Sequence, residues 1–237
     1  MAERIRIQKA IAQAGLMSRR AAEEAMVAGR VKLNGKPVVL GDRVDPTRDH
    51  LTLDDAPIPI SPDLETHLLY KPVGVISTAR DPQGRKTVVD LVESTNRLYP
   101  VGRLDADSEG LILVSNDGEL TNRVTHPRYG ITKRYLAEVR GVPSNPTLRR
   151  LVNGVDLEDG PARAVTAHLV ESGPDKALVE LVLVEGRNRE VRRMMEAVGH
   201  VVTRLVRTGI GPISDPHLGP GQSRRLSPGE IQSLLRS

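Results

Sequence analysis

Apolar residues along the first fifty positions recur with helical spacing and then with strand spacing. Ile7, Ala10, Ile11 and Ala14 fall at i, i+3, i+4 and i+7, one face of a helix, and Gly15 follows where a left-handed C-terminal cap belongs. Ser18, a good N-cap residue, opens a second short helix with Ala21, Ala22, Ala25 and Met26 inward and Gly29 at its end. Val31-Lys32-Leu33 and Pro37-Val38-Val39 then flank Asn34-Gly35, the dipeptide that best accepts the positive φ angles of a tight hairpin. The predicted order is helix, helix, strand, strand. Pro57, Pro59 and Pro62 with Asp54, Asp55 and Asp63 interrupt the pattern over 54–63, which predicts an interdomain linker and a boundary near residue 60.

The remainder, 61–237, alternates less regularly. Leu68-Leu69-Tyr70-Lys71-Pro72 and Leu111-Ile112-Leu113-Val114 are strand-like runs, and the stretch 177–184 either alternates or is fully buried. Asn145-Pro146-Thr147 opens a helix with proline at its first position and Leu148, Leu151 and Val152 on its inner side. Without the strict strand-helix alternation of a parallel sheet, the chain reads as α+β, a small domain over 1–60 and a mixed one over 61–237.

Composition narrows the function. The net charge of +4 says little, but residues 1–36 hold eight basic side chains against Glu3, Glu23 and Glu24, a local excess that attracts phosphate backbones. The chain has no cysteine, which excludes disulfides, thiolate metal sites and a thiol nucleophile. No run of about 18 apolar residues exists to cross a bilayer, and the charged start Glu3-Arg4-Ile5-Arg6 lacks a signal-peptide pattern, so a cytoplasmic protein is expected. Phe and Trp are absent and only Tyr70, Tyr99, Tyr129 and Tyr135 are aromatic, which argues against a platform for stacking successive bases.

Three runs in the first domain carry a resemblance: Arg4-Ile5-Arg6-Ile7-Gln8-Lys9, Gly15-Leu16-Met17-Ser18-Arg19-Arg20-Ala21-Ala22, and Gly29-Arg30-Val31-Lys32-Leu33-Asn34-Gly35. Together, over roughly residues 4–50, they resemble the RNA-binding domain first seen in ribosomal small-subunit protein four. That resemblance implies an RNA grip by Arg4, Lys9, Arg19, Arg20, Arg30 and Lys32. A lone basic run would more often be a solvated face; the accompanying hairpin signature favours the RNA reading.

In the second domain, Val101-Gly102-Arg103-Leu104-Asp105 and Ser108-Glu109-Gly110 place a charged, glycine-framed loop directly before the run 111–114. Catalytic groups usually sit on loops braced by a sheet, although an isolated Arg-x-Asp more often makes a structural ion pair. With its long ordered context, the run resembles the catalytic loop of the bacterial ribosomal RNA pseudouridine synthases, in which the position of Asp105 is the essential aspartate and Arg103 and Leu104 border the substrate. Lys133-Arg134-Tyr135-Leu136-Ala137-Glu138-Val139 is similar to the family strand whose tyrosine, here Tyr135, stacks on the target base; in isolation Tyr135 is an ordinary core aromatic. In the run 184–200, Val191, Met194, Met195 and Val198 share one helical face while Arg189, Arg192, Arg193 and Glu196 share the other, and Arg187, Arg189 and Arg193 suit RNA phosphate. By the same resemblance, Arg192 pairs with the catalytic aspartate, lowering its pKa and aiming it. Leu205 closes the pocket beneath the uracil.

The reaction that the resemblance implies breaks the C1′–N1 bond of uridine, turns the detached uracil and joins C5 to C1′. It has no net redox change, so no cofactor or metal is expected. A carboxylate either attacks C1′ or removes a ribose proton, and the sequence does not separate the two. The target must leave its stack to reach the pocket. The expected partner is ribosomal RNA or a pre-ribosomal particle, met by a monomer, and the Lys133-Arg134-Tyr135 context leans toward the large subunit. A non-catalytic assembly factor and a nucleosidase-type hydrolase are the rival readings. Intact Asp105, Tyr135 and Arg192 count against the first, and release of free uracil would mark the second.

Overall fold

The structure is a computed structural model and describes residues 4–46, 48–58 and 63–236. The chain divides into two compact units: Met1–Glu65 with Ser94–Leu98 and Asn116–Gly118, and Thr66–Glu93 with Tyr99–Ser115 and Glu119–Ser237. Among the described residues no helix is long and apolar enough to cross a membrane.

The first unit runs β1 (Ile5–Arg6), α1 (Ile7–Gln13), α2 (Arg19–Val27), β2 (Val31–Leu33), β3 (Lys36–Pro37), β4 (Arg43–Val44), β5 (Leu51–Leu53) and β6 (Ala56–Pro57). The helical spacing seen in the sequence is the packing itself: Ile7, Ala10, Ile11, Ala22, Ala25 and Met26 meet Val31, Val44 and Leu51 in one core. Ser18 Oγ accepts the Ala21 amide at 3.2 Å, the N-cap bond that starts α2. Asn34 (φ 52°) and Gly35 (φ 81°) turn β2 into β3. The stretch 54–63 is not wholly a linker. Asp54 (φ 51°) and Asp55 (φ 65°) form a second tight turn, and β6 pairs back onto β5. Pro57 is tolerated there because β6 is the edge of the order β3-β2-β5-β6, where a missing amide donor disturbs no ladder. Pro59 and Pro62 lie outside the described residues.

The second unit runs β7 (Thr66–Lys71), β8 (Tyr99–Val101), β9 (Glu109–Ser115), α3 (Gly118–Thr125), β10 (Lys133–Arg140), α4 (Asn145–Asn153), β11 (Val155–Leu157), β12 (Gly160–Ala162), β13 (Thr166–Ser172), β14 (Lys176–Leu183), α5 (Glu190–Ala197), β15 (Val202–Ile210), β16 (Ser223–Arg225) and α6 (Pro228–Arg236). One mixed sheet has the order β13-β14-β10-β15-β9-β7-β16, with β8 added on β9. Every pair in it is antiparallel except β15 with β9. β9 is buried at every position, as an interior strand covered on both faces must be, whereas β14 alternates along its length. Tyr135 on β10 faces Arg207 on β15, and Arg207 faces Gly110 on β9, so one rung crosses the three strands that carry the sequence motifs. Gly110 (φ 106°) allows the parallel approach: a Cβ there would lie 2.3 Å from the Arg207 carbonyl oxygen.

Candidate active site

The segment from Arg103 to Ser108 has a backbone held at every carbonyl. Arg207 Nη1 donates to Arg103 O (3.4 Å), Ser77 Oγ to Leu104 O (2.7 Å) and the Ser108 amide to Asp105 O (3.1 Å). The Gly74 amide donates to Ala106 O (2.7 Å), Arg192 Nη2 to Asp107 O (3.0 Å) and Lys71 Nζ to Ser108 O (2.7 Å). Ser77 Oγ also receives the Leu104 amide at 3.1 Å, closing a two-way link just before Asp105. A loop secured this way presents its side chains at fixed positions, which is what a reacting group requires.

That frame leaves the Asp105 side chain free. Its carboxylate makes no hydrogen bond or ion pair among the described residues. It lines a cavity of about 210 Å³ together with Arg103, Leu104, Tyr135, Leu205 and Val191. This is smaller than the ~300–1,000 Å³ typical of ligand pockets. Tyr135 and Leu205 are almost fully buried and give the cavity apolar walls. Arg187 and Arg189 also line it, as does Ser108, whose buried Oγ has no hydrogen-bond partner among the described residues.

Arg192 is placed differently from the expectation. Its guanidinium reaches Asp107, by an ion pair of 3.4 Å and the bond to Asp107 O, and also Val202 O (3.0 Å), so it grips the loop two residues past Asp105 and is not paired with Asp105. Arg189 joins it on Asp107 at 3.0 Å. Burial pushes the Asp107 carboxyl up, but the Arg189 hydrogen bond and the Arg192 and Arg189 charges outweigh it and hold the group below its ordinary value. Arg189 is not on the helix face with Arg192 and Arg193: it is the residue before α5, in the left-handed region at φ 50°. Arg193 forms a two-pronged pair with Asp159 (2.7 and 2.9 Å), and Arg187 contacts Asp159, Glu185 and Glu190.

In the first unit, Arg19 and Arg20 are exposed and make no ion pair among the described residues. Arg30 pairs with Asp54, and Lys32 with Asp55 at 2.6 Å. Arg4 and Lys9 lie on the same unit, Arg4 giving its carbonyl to Arg43.

Lys71, in sequence only the end of a strand-like run, is a polar group beside the Asp105 turn. It is fully buried at the end of β7, bonded to Ser108 O and to Pro72 O (2.9 Å). Burial pulls its amine down to about 8, while Asp105, Asp107 and Glu109 work in the other direction. A lysine ending an otherwise apolar run is a signal the sequence did contain. Glu190, also overlooked, is buried at the start of α5, where burial raises its carboxyl pKa even as the Arg187 amide donates to it at 3.0 Å.

Comparisons with known proteins bear on the family of the whole chain. The family model described as RNA pseudouridylate synthase matches residues 65–197, and the S4 domain model matches residues 5–49. The chain is 43% identical to "Ribosomal large subunit pseudouridine synthase B" of Bacillus subtilis (strain 168), over 97% of this chain and 95% of that protein. It is 44% identical to an uncharacterised RNA pseudouridine synthase of Mycobacterium tuberculosis (strain ATCC 25618 / H37Rv), over 98% of this chain and 94% of the relative. A solved structure titled "Crystal structure of pseudouridylate synthase" superposes with a TM-score of 0.68 at 29% identity, covering 97% of this chain and 99% of that one. With the Asp105 carboxylate and the buried Tyr135 lining one cavity on a mixed sheet, and an S4 domain before it, this chain belongs to the RNA pseudouridine synthase family of isomerases.

Proposed function

We propose that this enzyme isomerises a specific uridine of large-subunit ribosomal RNA, free or in a pre-ribosomal particle, with Asp105 as the reacting carboxylate. The observation that carries the reading is the unpaired Asp105 carboxylate in a cavity shared with Tyr135 and Leu205. The large-subunit target is supported by the name of the Bacillus subtilis relative.

In this reading the uracil ring lies between Tyr135 and Leu205, and Arg103 and Leu104 border the ribose. Asp105 acts at the sugar as nucleophile at C1′ or as base toward the ribose. The C1′–N1 bond breaks, the ring turns, C5 bonds to C1′, and the C5 proton leaves to solvent while N1 gains one. Arg192 serves as a positioning residue: it fastens Asp107 and so holds the turn that carries Asp105. Residues 1–60 dock the RNA through Arg4, Lys9, Arg19, Arg20, Arg30 and Lys32, and Arg187, Arg189 and Arg193 add contacts around the reaction cavity in 61–237. The enzyme works without a cofactor, as a monomer, in the cytoplasm.

Asp105→Asn keeps the side-chain shape and removes the charge. It is expected to lose several orders of magnitude in release of tritium from C5 of uridine-labelled large-subunit RNA, with the fold and RNA affinity retained. Retention of more than about a tenth of wild-type activity, only ~1.4 kcal/mol of barrier, would remove Asp105 from the reaction. Free uracil as the product would turn the reading to hydrolysis. Mapping pseudouridines in cells with and without the protein identifies the site, and an unchanged map overturns the proposal.

A further inference from the structure

A second cavity, of about 350 Å³, adjoins the first and shares Arg103, Tyr135, Gly186 and Arg187 with it. Tyr135 therefore stands between the two. Its remaining lining includes Lys133 and Arg207, neither of which the reaction described above uses.

The charges around this cavity do not balance. Arg207 is 5% exposed and spends Nε on Leu111 O (2.6 Å) and Nη1 on Arg103 O, leaving a buried Nη2 with no hydrogen-bond partner among the described residues. Lys133 donates to Val184 O at 3.0 Å, which uses one of the three protons of an ammonium. The Arg103 guanidinium has no partner among the described residues. Among the described residues one carboxylate lines the cavity, Glu185, and it is engaged by Arg187 at 2.9 Å. Burial, with Arg207 adding to it and Glu190 opposing, draws the Lys133 amine down to about 8. Holding the buried Arg207 guanidinium near the half-buried Lys133 ammonium is costly unless an anion completes the set.

We propose that this cavity is an anion subsite that takes a backbone phosphate flanking the uridine held in the reaction cavity, with Lys133, Arg207 and Arg103 as its cations. The inference rests on the synthase reading, since that reading supplies RNA as the ligand. A phosphate suits the donors present: the forked Arg207 end offers its free nitrogen, Lys133 offers a compact charge, and Arg103 closes from the rim. Because Tyr135 is the shared wall, a phosphate seated behind it would fix how far the flipped ring can travel, coupling strand grip to ring placement. Arg187, already committed to carboxylates, is a neighbour of the subsite and not one of its cations.

The test uses the full chain with its lysines labelled with ¹³C at Cε, titrated with uridine, uridine 3′-monophosphate, uridine 5′-monophosphate and inorganic phosphate. The expected result is that at least one phosphate-bearing probe shifts the Lys133 signal and raises its pKa, that uridine does not, and that Lys133→Met removes the preference for phosphate over uridine. The same variant should lose about tenfold to a hundredfold in kcat/KM for tritium release from large-subunit RNA. No shift of the Lys133 signal with any phosphate, or a phosphate preference unchanged in folded Lys133→Met, overturns the subsite. Wild-type tritium release tests the synthase reading separately, so the two can fail independently. The wild-type titration stands even where the variant misfolds, and Lys133→Arg, which keeps the charge, should retain phosphate preference.

Discussion

Lys71 carries an ammonium into a place that excludes water, and its cost depends on pH in a defined direction. Its folded-state pKa of about 8 lies below the ordinary 10.5, so between those values the unfolded chain holds a proton that the folded one has released. Stability then rises with pH across that window, and below about 8 both states are charged and the penalty is constant. Urea unfolding of the wild type and Lys71→Met near pH 7 and near pH 10 checks this. The wild type should gain stability relative to the variant at the higher pH, while the Lys133 contribution is common to both and cancels. An unchanged difference would mean that the folded Lys71 keeps its proton at both values. The residue scale is also where the sequence was least complete. Asp105, Tyr135 and Leu205 stand out as motif members and do share a cavity. Lys71, Ser77 and Arg207 act through carbonyls of residues 27 to 104 positions away. A backbone carbonyl is the same at every position, so a sequence offers no pattern that pairs a side chain with one.

Elements were more legible than their pairings. The periodicities of α1, α2 and β14 became buried faces, because local spacing and local geometry have the same period. The parallel pairing of β15 with β9 joins residues nearly a hundred positions apart and has no local signature. It turns on Gly110. Gly110→Ala would drive a methyl into the Arg207 backbone at an already positive φ, which should cost about 2–6 kcal/mol by combining strain with overpacking. Thermal unfolding should show a clear drop, and tritium release at a temperature where the variant is still folded should fall too, since β9 anchors the Asp105 turn. A variant as stable and active as the wild type would mean that the strands can separate without consequence. Arg189 shows the same limit of periodic reasoning: its left-handed backbone takes it off the α5 face that helical spacing assigned to it.

At the scale of the whole molecule the charge is nearly balanced, and what matters is which cations are already spent. Arg30 and Lys32 face Asp54 and Asp55, while Arg19 and Arg20 are unpaired among the described residues. An exposed pair is worth only about 0–1 kcal/mol, so Arg30 can exchange Asp54 for phosphate at little cost, but it brings less net charge to the exchange. Binding of large-subunit RNA measured against salt should therefore respond most to Arg19→Gln with Arg20→Gln. Every phosphate that the variant no longer neutralises should flatten the slope of log affinity against log salt by about 0.7 to 0.9. An equal slope for this pair of substitutions and the wild type would place RNA docking elsewhere. The hairpin after Asp54 was hidden because its turn is built from two aspartates and its last strand contains a proline, a composition shared with linkers.

The rung formed by Tyr135, Arg207 and Gly110 acts as a ruler. Adjacent strands are about 4.8 Å apart whatever side chains they carry, so two steps across the sheet set a span of roughly 10 Å between the tyrosine strand and the strand that follows the aspartate turn. A spacing dictated by backbone hydrogen bonds carries no information about which RNA is bound. Side chains at the rims can therefore differ with the spacing between the Tyr135 strand and the strand after the Asp105 turn left unchanged.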